Sequence, residues 1–149
     1  PGRVCLEYDN IAEARLQGLE LSGRVTLLDP LELSANYTYL DAENRVTGER
    51  LADRSRHRAN ASLNWALTGA LNTRLQAEYH SSQFRSDSEP DSPGYTLVDW
   101  YLDYAVTRNL SLQTGIENIG DERLANDDPD EYDRVDTGRR YFAGVTVSF

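Results

Sequence analysis

A two-residue alternation of apolar and polar side chains recurs along most of this chain, and it constrains the fold more than any other feature. Residues 19–27 place apolar or small side chains at odd positions and polar ones at even positions, and the pattern resumes at residue 31 after a short turn. Successive side chains of a β-strand point to opposite faces, so each such segment has one apolar and one polar face. Helical periodicity has no comparable run, and the chain is therefore predicted to be all-β.

Seven such segments are predicted to form antiparallel strands in sequence order, from about Ala14 to Phe149. Tight turns lie near Asp29, Gly69 and Arg108, whereas the connections 41–57, 83–94 and 120–139 are long and polar. Short turns at one end and long loops at the other are typical of outer-membrane barrels. The residues that should share one outer face are Leu21, Tyr37, Leu63, Leu75, Leu102, Leu112 and Val147.

Composition excludes some classes of protein without excluding a barrel. No run of about 18 apolar residues offers a transmembrane helix, and the net charge of -10 argues against nucleic acid as a partner. A mean hydropathy of -0.63 is compatible with a barrel, because only every second strand residue meets lipid. Trp65 beside a tight turn, and Tyr37, Tyr39 and Tyr79 near long loops, fit the aromatic girdles of a membrane barrel.

Seven strands are an odd number, and this predicts that the chain belongs to something larger. Single-chain bacterial barrels close with an even number of strands, and an open sheet edge in lipid leaves backbone groups unpaired. We therefore expect further strands upstream of Pro1.

Several stretches resemble the C-terminal third of TonB-dependent receptors, especially siderophore and colicin receptors. They are residues 10–20, 33–42, 58–65, the run IENIGDERL at 116–124, and the ending GRRYFAGVTVSF at 138–149. The resemblance implies that residues 1–149 are the last seven strands of an antiparallel transmembrane β-barrel of about 22 strands with a plugged lumen. It implies import of an iron-siderophore or similar scarce nutrient, energised by TonB through an N-terminal plug that this sequence lacks.

The same resemblance supplies further expectations about location and partners. The chain would lie in the bacterial outer membrane, in contact with lipid and lipopolysaccharide. Gly144, Val147 and Phe149 match the C-terminal signal read by the barrel-assembly machinery, although Phe142 stands where that signal commonly has a polar residue. Cys5, the only cysteine, would lie on the oxidising long-loop side and would form a disulfide with the missing upstream part.

No catalytic constellation is present, so the chain is predicted not to be an enzyme and to need no cofactor. The loop 120–139 is rich in the oxygen ligands that calcium prefers, but its spacing does not fit an EF-hand and Pro129 interrupts it. We therefore predict no metal site, and a solvated acidic loop that assists ligand or ion capture. The residues expected to touch a ligand from the loops and the lumen are Arg54, Arg56, His57, His80, Arg85, Asp127, Asp128 and Tyr132.

Two alternatives use the same strand pattern. A passive porin would share the lipid-facing and lumen-facing alternation, whereas a soluble β-sandwich would bury its apolar faces between two sheets. The family-like stretches favour a receptor over a porin, and detergent dependence would distinguish a barrel from a sandwich.

Overall fold

The computed structural model describes residues 13–86, 88, 90–124 and 138–149, and it shows one sheet of seven antiparallel strands. Each strand pairs with its neighbour in sequence, so β1 and β7 form the two edges. In the described part, no helix is long and apolar enough to cross a bilayer. The strands are β1 (Ala14–Leu28), β2 (Leu31–Asn44), β3 (His57–Ala66), β4 (Leu71–His80), β5 (Tyr95–Ala105), β6 (Leu110–Glu117) and β7 (Arg140–Val147).

The register between strands places the alternating side chains on two common faces. Leu33 lies opposite Leu63, Leu63 opposite Leu75, and Leu75 opposite Trp100, so a row of large apolar side chains crosses four strands. The seven residues predicted to share an outer face do share one, and that prediction is confirmed.

The apolar outer face is not covered by a second sheet. Leu21 and Val145 are 56% and 65% exposed, and the buried hydrophobic residues of the described ranges are Ala42 and Leu97 alone. A sandwich would bury these strands' apolar face, so the soluble alternative is wrong. A contiguous apolar surface of this extent is a membrane-facing feature.

The alternation reverses its phase near the loop side of the sheet. The outer face of β2 becomes charged at Asp41 and Glu43, while Leu40 and Ala42 turn inward, and the β1–β2 register continues unbroken through this change. In β5, Leu97 also faces inward and packs against Tyr95 and Leu124. We interpret the reversal as the level at which the outer surface passes from lipid to water. Above that level an apolar side chain is removed from water only on the inner face.

Two of the three long connections continue the sheet beyond this level. The predicted loop 41–57 was too long, since β2 runs to Asn44 and the following residues fold back with a bridge between Glu43 and Arg50. The predicted loop 83–94 also contains bridged backbone, at Gln83 and Ser92. Polar composition concealed this pairing, because backbone hydrogen bonds do not require an apolar face.

The third connection is anchored at both ends. Asn118 adopts a left-handed backbone with φ of 53°, and its backbone N–H donates to Asp99 Oδ1 at 2.8 Å. Its side-chain amide caps the turn by donating to the Glu122 carbonyl and accepting from the Glu122 backbone N–H. Asp121 accepts a hydrogen bond from the backbone N–H of Arg139 at 2.8 Å. That bond and the neighbouring Arg123 side chain lower the pKa of the Asp121 carboxyl below its ordinary value. Residues 125–137, which include Asp127, Asp128 and Tyr132, lie outside the described residues.

Candidate functional site

The inner face of the sheet carries a concave polar wall. Its central groove has a volume of about 720 Å³, and an amide hydrogen bond of 3.0 Å joins Asn60 to Asn36 across two strands. The uncharged polar side chains that line it are Ser22, Ser34, Asn36, Asn60, Ser62 and Gln76. Such a wall keeps water and hydrogen-bonding groups in contact with the inner side of the sheet.

Away from the loops on β1 and β4, and at the loop-side ends of β6 and β7, charged groups on this wall are matched with one another. Arg140 donates to Glu117 at 2.6 Å, and the Arg74 guanidinium lies 4.8 Å from the centre of the Tyr101 ring. Arg24 pairs with Glu32 at 3.4 Å. Since these cations already have partners, they offer little attraction to an anion from outside.

A smaller pocket lies where the wall meets the loops, and we call it the rim pocket. It has a volume of about 170 Å³ and is lined by Leu40, Asp53, Arg54, Ser55, Arg58, His80, Gln83 and Tyr95. The strand register places Arg58 opposite His80 and His80 opposite Tyr95, so these three side chains stand in one row. The His80 and Tyr95 rings stack at 4.8 Å with an interplanar angle of 9°, and His80 Nε2 lies 2.8 Å from Glu78 Oε1.

The rim pocket has an excess of hydrogen-bond donors. Neither Arg54 nor Arg58 forms an ion pair with any other described residue, and Asp53 is the single acidic side chain among the lining residues. Both arginines are exposed, so their guanidinium groups are available to a ligand. Guanidinium groups bind planar oxyanions through paired N–H donors. The pocket therefore suits an anionic group that is rich in oxygen.

The residues predicted to touch a ligand lie in different parts of the structure. Arg54 and His80 meet in the rim pocket. Arg56 donates to Asp41 at 3.0 Å, and Arg85 donates to Ser92 Oγ at 2.7 Å. His57 faces the outer surface, where its Nδ1 lies 2.7 Å from the Tyr37 hydroxyl and its ring contacts Tyr39. The structure thus brings two of the predicted residues together and leaves these other three elsewhere.

Six of the eight residues that line the rim pocket were missed from sequence, among them Arg58, Gln83 and Tyr95. Arg58 and Tyr95 lie at the loop-side ends of β3 and β5, and Gln83 follows the end of β4. Arg58 could have been recognised from sequence, because it lies on the polar face of its strand and directly follows a long connection. Tyr95 also directly follows a long connection, whereas Gln83 carried no signal, since its position depends on how the two loops pair.

The C-terminal residues of the predicted assembly signal lie at or just beyond the last strand. Gly144 and Val147 belong to β7, Phe149 follows it, and Val147 lies opposite Leu110. Cys5 lies outside the described residues. The assembly signal and the disulfide therefore stay predictions.

An open antiparallel sheet with a lipid-facing outer surface, a polar inner wall, and tight turns opposite long loops defines a segment of an outer-membrane β-barrel. The family model described as "TonB dependent receptor-like, beta-barrel" matches residues 1–119. The chain therefore belongs to the TonB-dependent receptor β-barrel family.

Named relatives agree with this assignment. The iron-regulated outer membrane virulence protein of Vibrio cholerae is 29% identical over 148 residues, which cover 94% of this chain and 22% of the relative. The ferric enterobactin receptor of Pseudomonas aeruginosa is 27% identical over 167 residues, covering 96% of this chain and 22% of the relative. A crystal structure of that receptor, PfeA, superposes with a TM-score of 0.76 at 23% identity, covering 94% of this chain and 23% of the other. The chain spans about a fifth of the length of these relatives.

Proposed function

We propose that residues 1–149 form the C-terminal segment of an outer-membrane receptor that imports a ferric siderophore or a similar scarce nutrient. The observation that carries this proposal is the rim pocket, where Arg54 and Arg58 face the loop side of a polar wall with no ion-pair partner among the described residues. Long loops of such barrels are extracellular, so the pocket would meet a ligand arriving from outside. The names of the two relatives support an iron chelate as that ligand.

The remaining partners follow from the family and are part of the same proposal. Energy would come from TonB through an N-terminal plug domain, and the barrel-assembly machinery would read the strand that contains Gly144 and Val147. The outer face, with Leu21, Leu75 and Val145, would contact membrane lipid and lipopolysaccharide. The role is one of binding and transport, and no step of chemical catalysis is assigned to the chain.

A binding measurement on the full-length receptor that carries this chain tests the proposal. Ferric enterobactin, a polyanionic iron complex, serves as the probe, and the test variant is Arg58→Ala. Loss of a charge-assisted hydrogen bond to an anion costs about 1.5–3 kcal/mol, so we expect Kd to rise at least about tenfold. Arg24→Ala is the matched control, because Arg24 lies on the same face but pairs with Glu32.

The outcomes separate clearly. Arg58→Ala should weaken binding and TonB-dependent uptake together, while Arg24→Ala leaves both near the unmodified level. Equal affinity of the Arg58→Ala variant and the unmodified receptor would remove the rim pocket from the binding site, and failure of the unmodified receptor to bind ferric enterobactin would refute the proposed ligand.

A further inference from the structure

The two loops that flank the rim pocket are joined by a short ladder of hydrogen bonds. Ser55 of the β2–β3 loop forms an antiparallel bridge with Gln83 of the β4–β5 loop. Gln83 forms a second bridge with Ser92, in which the Gln83 N–H donates to the Ser92 carbonyl at 3.0 Å and the Ser92 N–H donates to the Gln83 carbonyl at 2.8 Å. Gln83 Nε2 also donates to Ser55 Oγ at 3.1 Å. We call Ser55, Gln83 and Ser92 the loop ladder.

Further contacts hold the same two loops together. The backbone N–H of Asp53 donates to the carbonyl of Phe84 at 2.8 Å, and the Arg50 guanidinium lies 5.8 Å from the centre of the Phe84 ring. Gly94 packs so closely that an added Cβ would stand 2.7 Å from the His80 carbonyl oxygen. The β4–β5 loop is thus pressed against the end of β4 and is bonded to the β2–β3 loop.

The loop ladder runs from the lining of the rim pocket to a buried residue behind it. Ser55 and Gln83 line the pocket, whereas Ser92 does not, and Ser92 is only 2% exposed. Arg54 directly precedes Ser55 and follows Asp53, whose backbone is left-handed with φ of 59°. A shift of the β2–β3 loop would therefore carry Arg54 away from Arg58, which is fixed on β3.

We infer that Gln83 and Ser92 are positioning residues, which hold the Arg54-bearing loop at the distance from β3 that the ligand requires. This inference rests on the proposed function, because it concerns the same pocket. A preorganised arginine pair binds more tightly than a mobile one, since less side-chain and loop entropy is lost on binding. The two loops stay joined during capture, and they act as a fixed wall.

The first test uses Ser92→Leu in the full-length receptor, with ferric enterobactin as the probe. Leucine does not fit the space of a serine that is 2% exposed, and it removes the hydroxyl that accepts a hydrogen bond from Arg85. We expect Kd to rise about tenfold, while heat-modifiable migration in detergent gels shows the barrel to be folded. Ser82→Leu is the control, because Ser82 is exposed in the same loop and only its backbone carbonyl accepts a hydrogen bond, from the Ser81 hydroxyl.

A disulfide staple distinguishes positioning from general damage. Ser55 and Gln83 are paired residues of an antiparallel bridge, a geometry that brings Cα atoms within the range a disulfide spans. In the Ser92→Leu background, the Ser55→Cys and Gln83→Cys pair should restore affinity when oxidised and lose it again on reduction. Mass mapping verifies that the intended disulfide has formed.

Each outcome decides the matter. Normal affinity of Ser92→Leu, or no recovery on oxidation of a verified staple, would overturn the positioning role. If oxidation abolished binding that the reduced Ser55→Cys, Gln83→Cys receptor retains, the loops would have to separate for capture, which contradicts a fixed wall. An Arg58→Ala variant with normal affinity would instead remove the proposed function itself, so the two failures are distinguishable.

Discussion

Gly115 shows how one residue of β6 accommodates an aromatic ring from β7. A Cβ at this position would stand 2.6 Å from Phe142 Cε1 and 2.7 Å from the Trp100 carbonyl oxygen. The Phe142 ring therefore lies over the glycine, with its centre 6.0 Å from that of Tyr101. An aromatic side chain that covers a glycine on a neighbouring strand is a known device for fixing register. This explains how an inward-facing position, where a polar residue is common, holds Phe142.

Replacing Gly115 with valine should destabilise the barrel. The new side chain would displace Phe142 and crowd the Trp100 carbonyl, and such overpacking typically costs about 1–3 kcal/mol. The temperature at which the receptor loses its compact migration in detergent gels should fall. Gly23→Ala is the control, because nothing lies within 4 Å of an added Cβ there. An unchanged melting temperature for Gly115→Val would contradict the close packing.

Asp121 should make the base of the β6–β7 connection sensitive to acid. Its carboxylate accepts the Arg139 backbone N–H and interacts with Arg123, and both lower its pKa below the ordinary 3.8. A lowered pKa in the folded state contributes stability that is complete above 3.8 and disappears as the pH falls through the lower folded value. The Arg139 amide resonance, followed by NMR in micelles, should titrate with a midpoint below 3.8, and in Asp121→Asn that titration should vanish.

At the scale of the strands, sequence predicted one end of each element better than the other. The turn-side ends of β1 and β2 fall within one residue of the expected positions, whereas the loop-side end of β2 extends to Asn44, inside the connection predicted at 41–57. Alternation marks a strand only where its two faces meet lipid and a polar interior. Beyond Tyr39 the phase inverts, so the pattern seemed to end although the backbone pairing continues.

The candidate site was predictable in part for the same reason. Arg54 and His80 stood out because their charge or imidazole group lay beside a long connection. Gln83 and Ser92 were not predictable, because they act through bridges within and between two loops. No local pattern encodes a bridge between Ser55 and Gln83, which are separated by an entire hairpin.

The segment between the two anchored ends of the β6–β7 connection should be removable. Asn118 and Asp121 close the base of the connection through hydrogen bonds with Asp99, Glu122 and Arg139. The sequence between Asp121 and Arg139 is acidic and shows no alternation of apolar and polar residues. Deleting residues 126–133 should leave heat-resistant migration in detergent gels intact while altering ligand binding or uptake. Loss of folding would show the segment to be structural, and unchanged uptake would show that it is merely solvated.

For the whole molecule, the assignment of faces predicts very different responses to the same added charge. Leu75 faces outward in the middle of β4, and its neighbour Gln76 lines the inner groove. An arginine on the lipid face near the bilayer midplane costs about 2–4 kcal/mol. Leu75→Arg should therefore lower thermal stability in lipid vesicles, while Gln76→Arg should change it little. Comparable losses for the two variants would contradict the assignment of the faces.

The two unpaired edges of the sheet have a consequence for how this sheet can lie in a membrane. β1 has 15 residues and β7 has 8, and about half of the backbone amide and carbonyl groups of each point away from the sheet. Each such group left unsatisfied in hydrocarbon costs several kcal/mol. An open edge is therefore disfavoured in lipid, and we expect hydrogen-bonding partners to cover both edges wherever this sheet lies in a membrane.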